Sequence, residues 1–548
     1  MPASPPSVRR CASADASGLR KPDIYLAAIT AAAALLFATV GCGRPIWADD
    51  ACAQWIARHG LPALFAALRN DNNFPAYYVL LSFWMRLFGD SEPAMRSLAA
   101  LFYLGGAAGT FLLARSVFRD WRAALYVAIF YVGSAQAIAQ AQAVRMYSML
   151  GFLTAISIWL FWRIFVQPLT AGHHPRSKGV ANWACLPTAR PALSGEQQAQ
   201  PGIVLAYLAI NSIGMLTQIW FCFVLLAQFV ALRRERKRFM SLAAGPALLL
   251  ALLWGPALLA QLRNGSTHWL PPFRLWFVAD SLLGLYATPI ATVEFGDWAI
   301  PVVGSAVLLM CAVLWWRPEA KTFRREPGIR ILCTIGAVTV LAPLAVSIVK
   351  PIYAPHRYSI ISLPPAAVLL GTTVARFASR PCAGAIAMFL LLTSAVWHIH
   401  ERHQQPASPP PDWQNDRTTA AYIAHHARPS DAVVFTSLTR AAADYYFHRF
   451  GAEGRFLEAS FPAELDRHPG WMDGAALLRH PEAVEHDAKQ LFSRLSVLAG
   501  QGQTIWVYYG YDVTVSDFLK RKLDTQLTLQ GRVDLHGPFH TQLLVYAR

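Results

Sequence analysis

The chain has 548 residues, 55% of them hydrophobic and 15% charged, with 48 Lys and Arg against 32 Asp and Glu for a formal net charge of +16. So few charges exclude an ordinary soluble protein, which carries about 25%, and repeated apolar stretches near span length make this a polytopic membrane protein. In such a chain the basic excess belongs to cytoplasmic loops and does not call for nucleic acid. The eight Cys are scattered, with no CxxC and no Cys/His spacing of a zinc site. Cys42 and Cys52 flank one stretch and could pair if that side is oxidising.

Taken in order, apolar segments near 23–42, 94–115, 122–140, 147–166, 203–217, 219–232, 241–261, 299–316, 331–349, 358–377 and 383–399 give about eleven spans. The basic clusters are the N-terminus, Arg115/Arg119/Arg122, Arg163 to Arg190, Arg233 to Arg238, Arg317 to Arg330 and Arg376/Arg380. With a cytoplasmic N-terminus and eleven spans, all of them fall on the cytoplasmic side. The other side then holds 43–93, the Gln140–Met146 turn, 262–298, Lys350–Arg357 and everything after His400. Within it, Pro75–Phe88 and Leu275–Leu285 have the composition of helices lying at the headgroups. Residues 170–200 read as a flexible loop.

The character changes at about 400. After the proline-rich Gln404–Pro411, helices at 415–427, 439–449, 482–499 and 515–529 alternate with strands at 432–437, 455–459, 504–509 and 541–547. That alternation predicts a small C-terminal α/β domain, 401–548, on the extracytoplasmic side, following a 1–400 membrane domain. It carries no phosphate-binding glycine loop and no nucleophile elbow, so it reads as a lid or docking domain.

One stretch in the first outer loop stands out for chemistry. Asp49-Asp50 sits where the first helix leaves the bilayer, followed by the aromatic Asn73-Phe74-Pro75-Ala76-Tyr77-Tyr78. A carboxylate pair at a membrane boundary offers a general base; the alternative is a helix N-cap. The outer cations are few. Arg145 lies between Gln142 and Tyr147, and Lys350, His356 and Arg357 lie near Tyr353 and Tyr358. Either arginine could hold a phosphate bidentately or snorkel to headgroups. Glu294 and Asp297 follow an amphipathic segment, but no spacing singles them out.

These residues, in this order, resemble the GT-C glycosyltransferases, and more narrowly the bacterial relatives of protein O-mannosyltransferases and the lipid A aminoarabinose transferase. Members show Leu-Trp-x-Asp-Glu-Ala at the first-helix exit; this chain has Ile46-Trp47-Ala48-Asp49-Asp50-Ala51. The family's His-Pro-Pro-Leu-Tyr-Tyr, then Trp and Phe-Gly-Asp-Ser-Glu, matches Asn73 to Tyr78, Trp84 and Phe88 to Glu92. Ala94 to Leu98, Ala141 to Tyr147 and Arg357-Tyr358 before Pro364-Pro365 extend the match. The chain departs at Asn73, where the family has His, and at Ala143, where it has Glu.

The resemblance implies a mainly α bundle that moves a sugar, with inversion, from a polyprenyl-phosphate donor to a lipid, glycan or protein hydroxyl outside the cytoplasmic membrane. It points to Asp49 as base, with Asp50 in support through like-charge repulsion or a divalent cation. It assigns Arg145, Arg357 and His356 to the donor phosphate, and Asn73, Tyr77, Tyr78, Tyr147 and Tyr358 to the substrate side. It calls for no other cofactor and for membrane lipids as the only further partner. Two readings from other classes compete: a flippase of lipid-linked sugars, which needs ionisable groups within spans, and a non-catalytic scaffold.

Overall fold

A computed structural model describes residues 21–71, 73–167, 201–263, 270, 272–286, 299–403, 416–466, 481–533 and 541–547. The 170–200 loop, the Gln404–Pro411 linker, Glu294 and Asp297 lie outside the described residues.

Each predicted apolar segment is helical. Seven helices are long and apolar enough to cross a bilayer: Lys21–Thr39, Glu92–Phe118, Tyr147–Val166, Arg236–Gln261, Pro327–Val349, Ser359–Phe377 and Arg380–Ile399. Trp121–Val132 and Ala135–Ala141 meet the same test only as a pair, bent by 62°, which is either a broken span or a re-entrant loop. The bend has a local cause. Gly133 ends the first helix, and the Ser134 hydroxyl caps the second by accepting from the Ala137 amide at 3.3 Å. Pro201–Thr217, Phe221–Ala231 and Gly304–Trp316 are apolar but shorter.

Polar side chains join two of the short helices to the bundle. Tyr207 donates to Gln228 Oε1 at 2.6 Å, Gln228 donates to Ser157 Oγ at 2.8 Å, and Ser157 donates to Asn211 Oδ1 at 2.7 Å. All four are buried and neutral. Such bonds fasten helices where lipid gives no hydrophobic drive for association. Other helix faces expose Leu248, Leu252, Leu253, Leu309, Ile348 and Val396, as lipid contact requires. Many of the basic residues share one end. Arg376 lies 5.3 Å from the Phe118 ring and 4.9 Å from the Phe323 ring, and pairs with Glu326 at 3.2 Å. Arg238 lies over Phe165.

Beyond residue 416 lies a five-stranded sheet of β1 (Ala432–Thr436), β2 (Leu457–Phe461), β3 (Ile505–Tyr509), β4 (Thr528–Val533) and β5 (Gln542–Ala547), in the order β2-β1-β3-β5-β4. The first three strands are parallel, and β5 runs antiparallel to β3 and β4. The predicted helix 515–529 ends at Asp524, and β4 was not expected from the sequence. Its strand residues, Thr528 to Val533, are mostly exposed, so no apolar run marked it.

Alternate residues of β1 and β3 face opposite layers. Val434, Ile505 and Val507 meet helices Pro481–Gly500 and Val513–Asp524. Val433, Phe435, Trp506 and Tyr508 join a core that continues through helices Asp416–His426 and Thr439–Arg449 into the membrane bundle. Burial on both faces explains why β1 and β3 read as unbroken apolar runs. The predicted headgroup helix is present as Pro75–Phe88, with Phe83, Leu87 and Phe88 exposed on one side.

Candidate active site

The first helix ends in a turn, Val40–Arg44, and the chain re-enters a helix at Ala48–Arg58. Asp49 and Asp50 lie in its first turn, where the partial positive charge of a helix N-terminus favours carboxylates. Successive helical residues point about 100° apart, so the two carboxylates meet different surroundings.

Asp50 is sequestered. Arg96 donates to its Oδ2 at 3.2 Å and the Val144 amide donates to Oδ1 at 2.9 Å. The same guanidinium donates to the carbonyls of Cys42 at 2.9 Å and Pro45 at 3.0 Å, and to that of Arg44. Both side chains are buried. Burial pushes the Asp50 carboxyl up, against the pull of Arg96 and the Val144 amide. The helix N-cap is Trp47, without a side-chain cap bond, so Asp50 is not the cap that the sequence offered as an alternative. Arg96 is the residue that sequence reasoning missed; its place inside a long apolar helix, where a charge needs a partner, was the available signal.

Asp49 and Asp50 both border a cavity of about 160 Å³, together with Trp47, Gln142, Arg145, Tyr147 and Arg357. Arg357 Nη1 lies 3.4 Å from Asp49 Oδ2, and Arg145 Nη1 lies 3.4 Å from the Asp49 carbonyl oxygen. Burial opposes the charge on both arginines, but the neighbouring acidic groups together outweigh it, Tyr78, Asp49, Tyr147 and Asp71 around Arg145 and Asp49 and Tyr147 around Arg357, so both guanidinium groups lie above their ordinary value. Arg145 Nε is buried without a hydrogen-bond partner among the described residues. Three separate segments thus converge: the first outer loop, the Gln142–Met146 turn and the Pro355–Tyr358 turn.

The remaining predicted residues divide. Tyr147 lines the cavity, and Tyr358 stands behind it, edge-on to Tyr147 at 6.1 Å and 4.5 Å from Trp220. Tyr77 and Tyr78 are not among the residues lining the cavity; both are buried, edge to face at 5.6 Å. Asn73 donates to Asp71 Oδ2 at 2.7 Å, and its carbonyl accepts from Gln261 at 3.2 Å. Lys350 is exposed at a helix end, and the His356 side chain lies outside the described residues. Cys42 and Cys52 are not joined in a disulfide; burial raises both thiols. No group of three or more His, Cys, Asp or Glu among the described residues could hold a metal ion.

A second, larger cavity of about 820 Å³ opens at the far end of the Asp49 helix. Trp55, His59 and Ala63 wall one side; Glu464, Asp487 and Gln490, from the sheet unit, wall the other.

No protein-family model matches the chain, and no curated protein sequence does. Solved structures do. ArnT from Cupriavidus metallidurans, bound to undecaprenyl phosphate, superposes with a TM-score of 0.57 at 13% identity, covering 97% of this chain and 98% of its own. Its apo form gives 0.58 at 14% identity, over 96% and 98%. The oligosaccharyltransferase AglB from Archaeoglobus fulgidus, solved with an inhibitory peptide and a dolichol-phosphate, gives 0.48 at 13% identity, over 89% of this chain and 69% of its own. The bundle, the loop that carries Asp49 and the C-terminal sheet therefore fall within one known architecture: over nearly its whole length this multi-pass membrane protein has the fold of ArnT.

Proposed function

We propose that the chain is a glycosyltransferase that moves a sugar from a polyprenyl-phosphate carrier to a hydroxyl acceptor on the outer face of the cytoplasmic membrane. The observation that carries this reading is the convergence of Asp49, Arg145 and Arg357 on one cavity. A transferase of this class needs a base for the acceptor hydroxyl and cations for the departing phosphate. Asp49 supplies the first. Arg145, with an unspent buried N–H, and Arg357 supply the second. That a structure of the same fold was solved with undecaprenyl phosphate supports a lipid-linked donor.

Arg357 has two roles in this account. Without donor it neutralises Asp49 across 3.4 Å. A donor phosphate competes for the guanidinium and turns it away, and the carboxylate becomes available to the acceptor hydroxyl. The leaving phosphate then departs into two guanidinium groups, with attack from the opposite face of the sugar and inversion at the anomeric carbon. Asp50, tied to Arg96 and the Val144 amide, holds the loop in place. The cleft between Trp55 and Gln490 gives a glycan or lipid headgroup an approach beside the helix that carries Asp49.

The lysine and arginine distribution supports a cytoplasmic N-terminus, with the loops of the site and the sheet unit outside. It also supports the cytoplasmic membrane as the location, since the acceptor side then lacks nucleotide sugars and requires a lipid-borne donor.

Binding of undecaprenyl phosphate to the purified protein in nanodiscs tests the site. Arg145→Ala and Arg357→Ala should each weaken binding by about tenfold or more, as loss of a charge-assisted bidentate contact implies. Lysine at either position should restore binding only in part, because it keeps the charge and loses the planar fork. Wild-type affinity in both alanine variants would remove the arginines from the donor site.

A further inference from the structure

The helix that carries Asp49 has no cap of its own. Trp47, at the N-cap position, makes no side-chain cap bond, and the amides at the start of a helix have no partner within it. One partner for these amides, and one for the chain just ahead of the helix, come from 400 or more residues away in the sequence. Tyr446, on helix Thr439–Arg449, accepts a hydrogen bond from the Ile46 amide at 2.8 Å. The Ala48 amide faces the hydroxyl of Tyr511, just beyond β3. The Tyr511 hydroxyl in turn donates to Asp416 Oδ2 at 3.0 Å, and Tyr508 donates to the other carboxylate oxygen. Asp416 is fully buried, as is Ile46, so no water competes for these bonds.

We propose that the sheet unit is a positioning device for the site: Tyr511, oriented by Asp416, and Tyr446 together hold the segment Ile46–Asp50 and so fix where Asp49 points. This inference rests on the reading of Asp49 as the reacting carboxylate. It gives the C-terminal unit a task other than covering or docking. A carboxylate accepting the Tyr511 proton leaves the phenol oxygen electron-rich toward the Ala48 N–H, which suits the positive end of the helix. Neighbouring contacts keep the unit seated: Tyr445 donates to the Asp90 carbonyl at 3.1 Å, and Arg58 pairs with Glu453 at 3.1 Å. Tyr446, Tyr511 and Asp416 are positioning residues, since none of them lines the cavity around Asp49.

The test is the full-length double variant Tyr446→Phe/Tyr511→Phe in nanodiscs, in which both rings stay and both hydroxyls go. Hydrogen exchange at the amides of Ile46 and Ala48 should accelerate at least tenfold. Undecaprenyl phosphate should bind as in wild type, because the arginines are untouched. Turnover should fall about a hundredfold at unchanged KM for the donor, the scale expected when a reacting group is displaced by about 1 Å. Asp416→Asn, which keeps the volume and weakens the grip on Tyr511, should give a smaller change of the same kind. Unchanged exchange in the double variant overturns the proposal, as does accelerated exchange with wild-type turnover. The exchange measurement needs no substrate. Should the wild-type protein transfer no sugar, faster exchange in the variant still supports the anchoring while the proposed function falls.

Discussion

Asp49 and Asp50 are adjacent in sequence and different in surroundings. Both border one cavity, but the Asp49 carboxylate pairs with Arg357, whereas that of Asp50 is tied to Arg96 and the Val144 amide. Buried pairs lose most when one partner is removed, because the other is left charged and desolvated. Asp50→Ala should therefore destabilise the protein by about 3–5 kcal/mol, read as a fall in the unfolding midpoint in detergent. Asp50→Ala with wild-type stability would mean that Arg96 is satisfied by the carbonyls of Cys42, Arg44 and Pro45 alone. The carboxylates and both cavity arginines were legible in the sequence because charges are rare on the outer side and motif order placed them. The division of labour between the two aspartates was not. It depends on Arg96, a residue 46 positions away that tertiary packing brings to Asp50.

At the scale of elements, apolar length located every predicted helix, since lipid demands continuous apolar helices. The sheet was legible where both faces are buried, in β1 and β3, and illegible in β4, whose residues are mostly exposed. One carboxyl in this unit, that of Glu458, is pushed toward neutrality. Arg440 pairs with Glu458 at 2.8 Å, Asp444 at 2.8 Å and Asp466 at 3.4 Å, so three carboxylates share one guanidinium. Burial, against the pull of Arg440 and with the repulsion of Asp444, pushes the Glu458 carboxyl up to about 7. A carboxyl raised on folding binds more protons in the native state than in the unfolded one. Its contribution to stability is therefore full below the unfolded value and is lost as pH rises toward 7. The unfolding midpoint of the wild-type protein should fall between about pH 4.5 and 7 relative to Glu458→Gln, which stays neutral throughout. Parallel pH profiles for the two proteins would contradict this assignment.

For the whole molecule, the sites and the charge pattern point to one orientation. The proposed orientation puts Asp49, Arg145 and Arg357 on the side with few lysines and arginines between spans, and the clusters around Arg238 and Arg376 on the other. A phosphatase fused after Arg548 should be active and a fluorescent protein there dark, with the reverse at Arg236; fluorescence after Arg548 would overturn the orientation. The interlocking of the sheet unit with the first outer loop had no sequence signal, because Tyr446, Tyr511 and Asp416 meet Ile46 and Ala48 only through the fold. The central claim is that Asp49 is the base of a sugar transfer, and envelope glycans report on it directly. Mass spectrometry of envelope lipids and glycans should compare wild-type cells, cells lacking the protein and cells with Asp49→Asn at equal protein level. The account predicts that one species loses the mass of a single sugar in the deletion and equally in Asp49→Asn, since loss of a general base costs about a hundredfold or more. A deletion that removes the sugar beside an Asp49→Asn strain that keeps it in full would contradict the account.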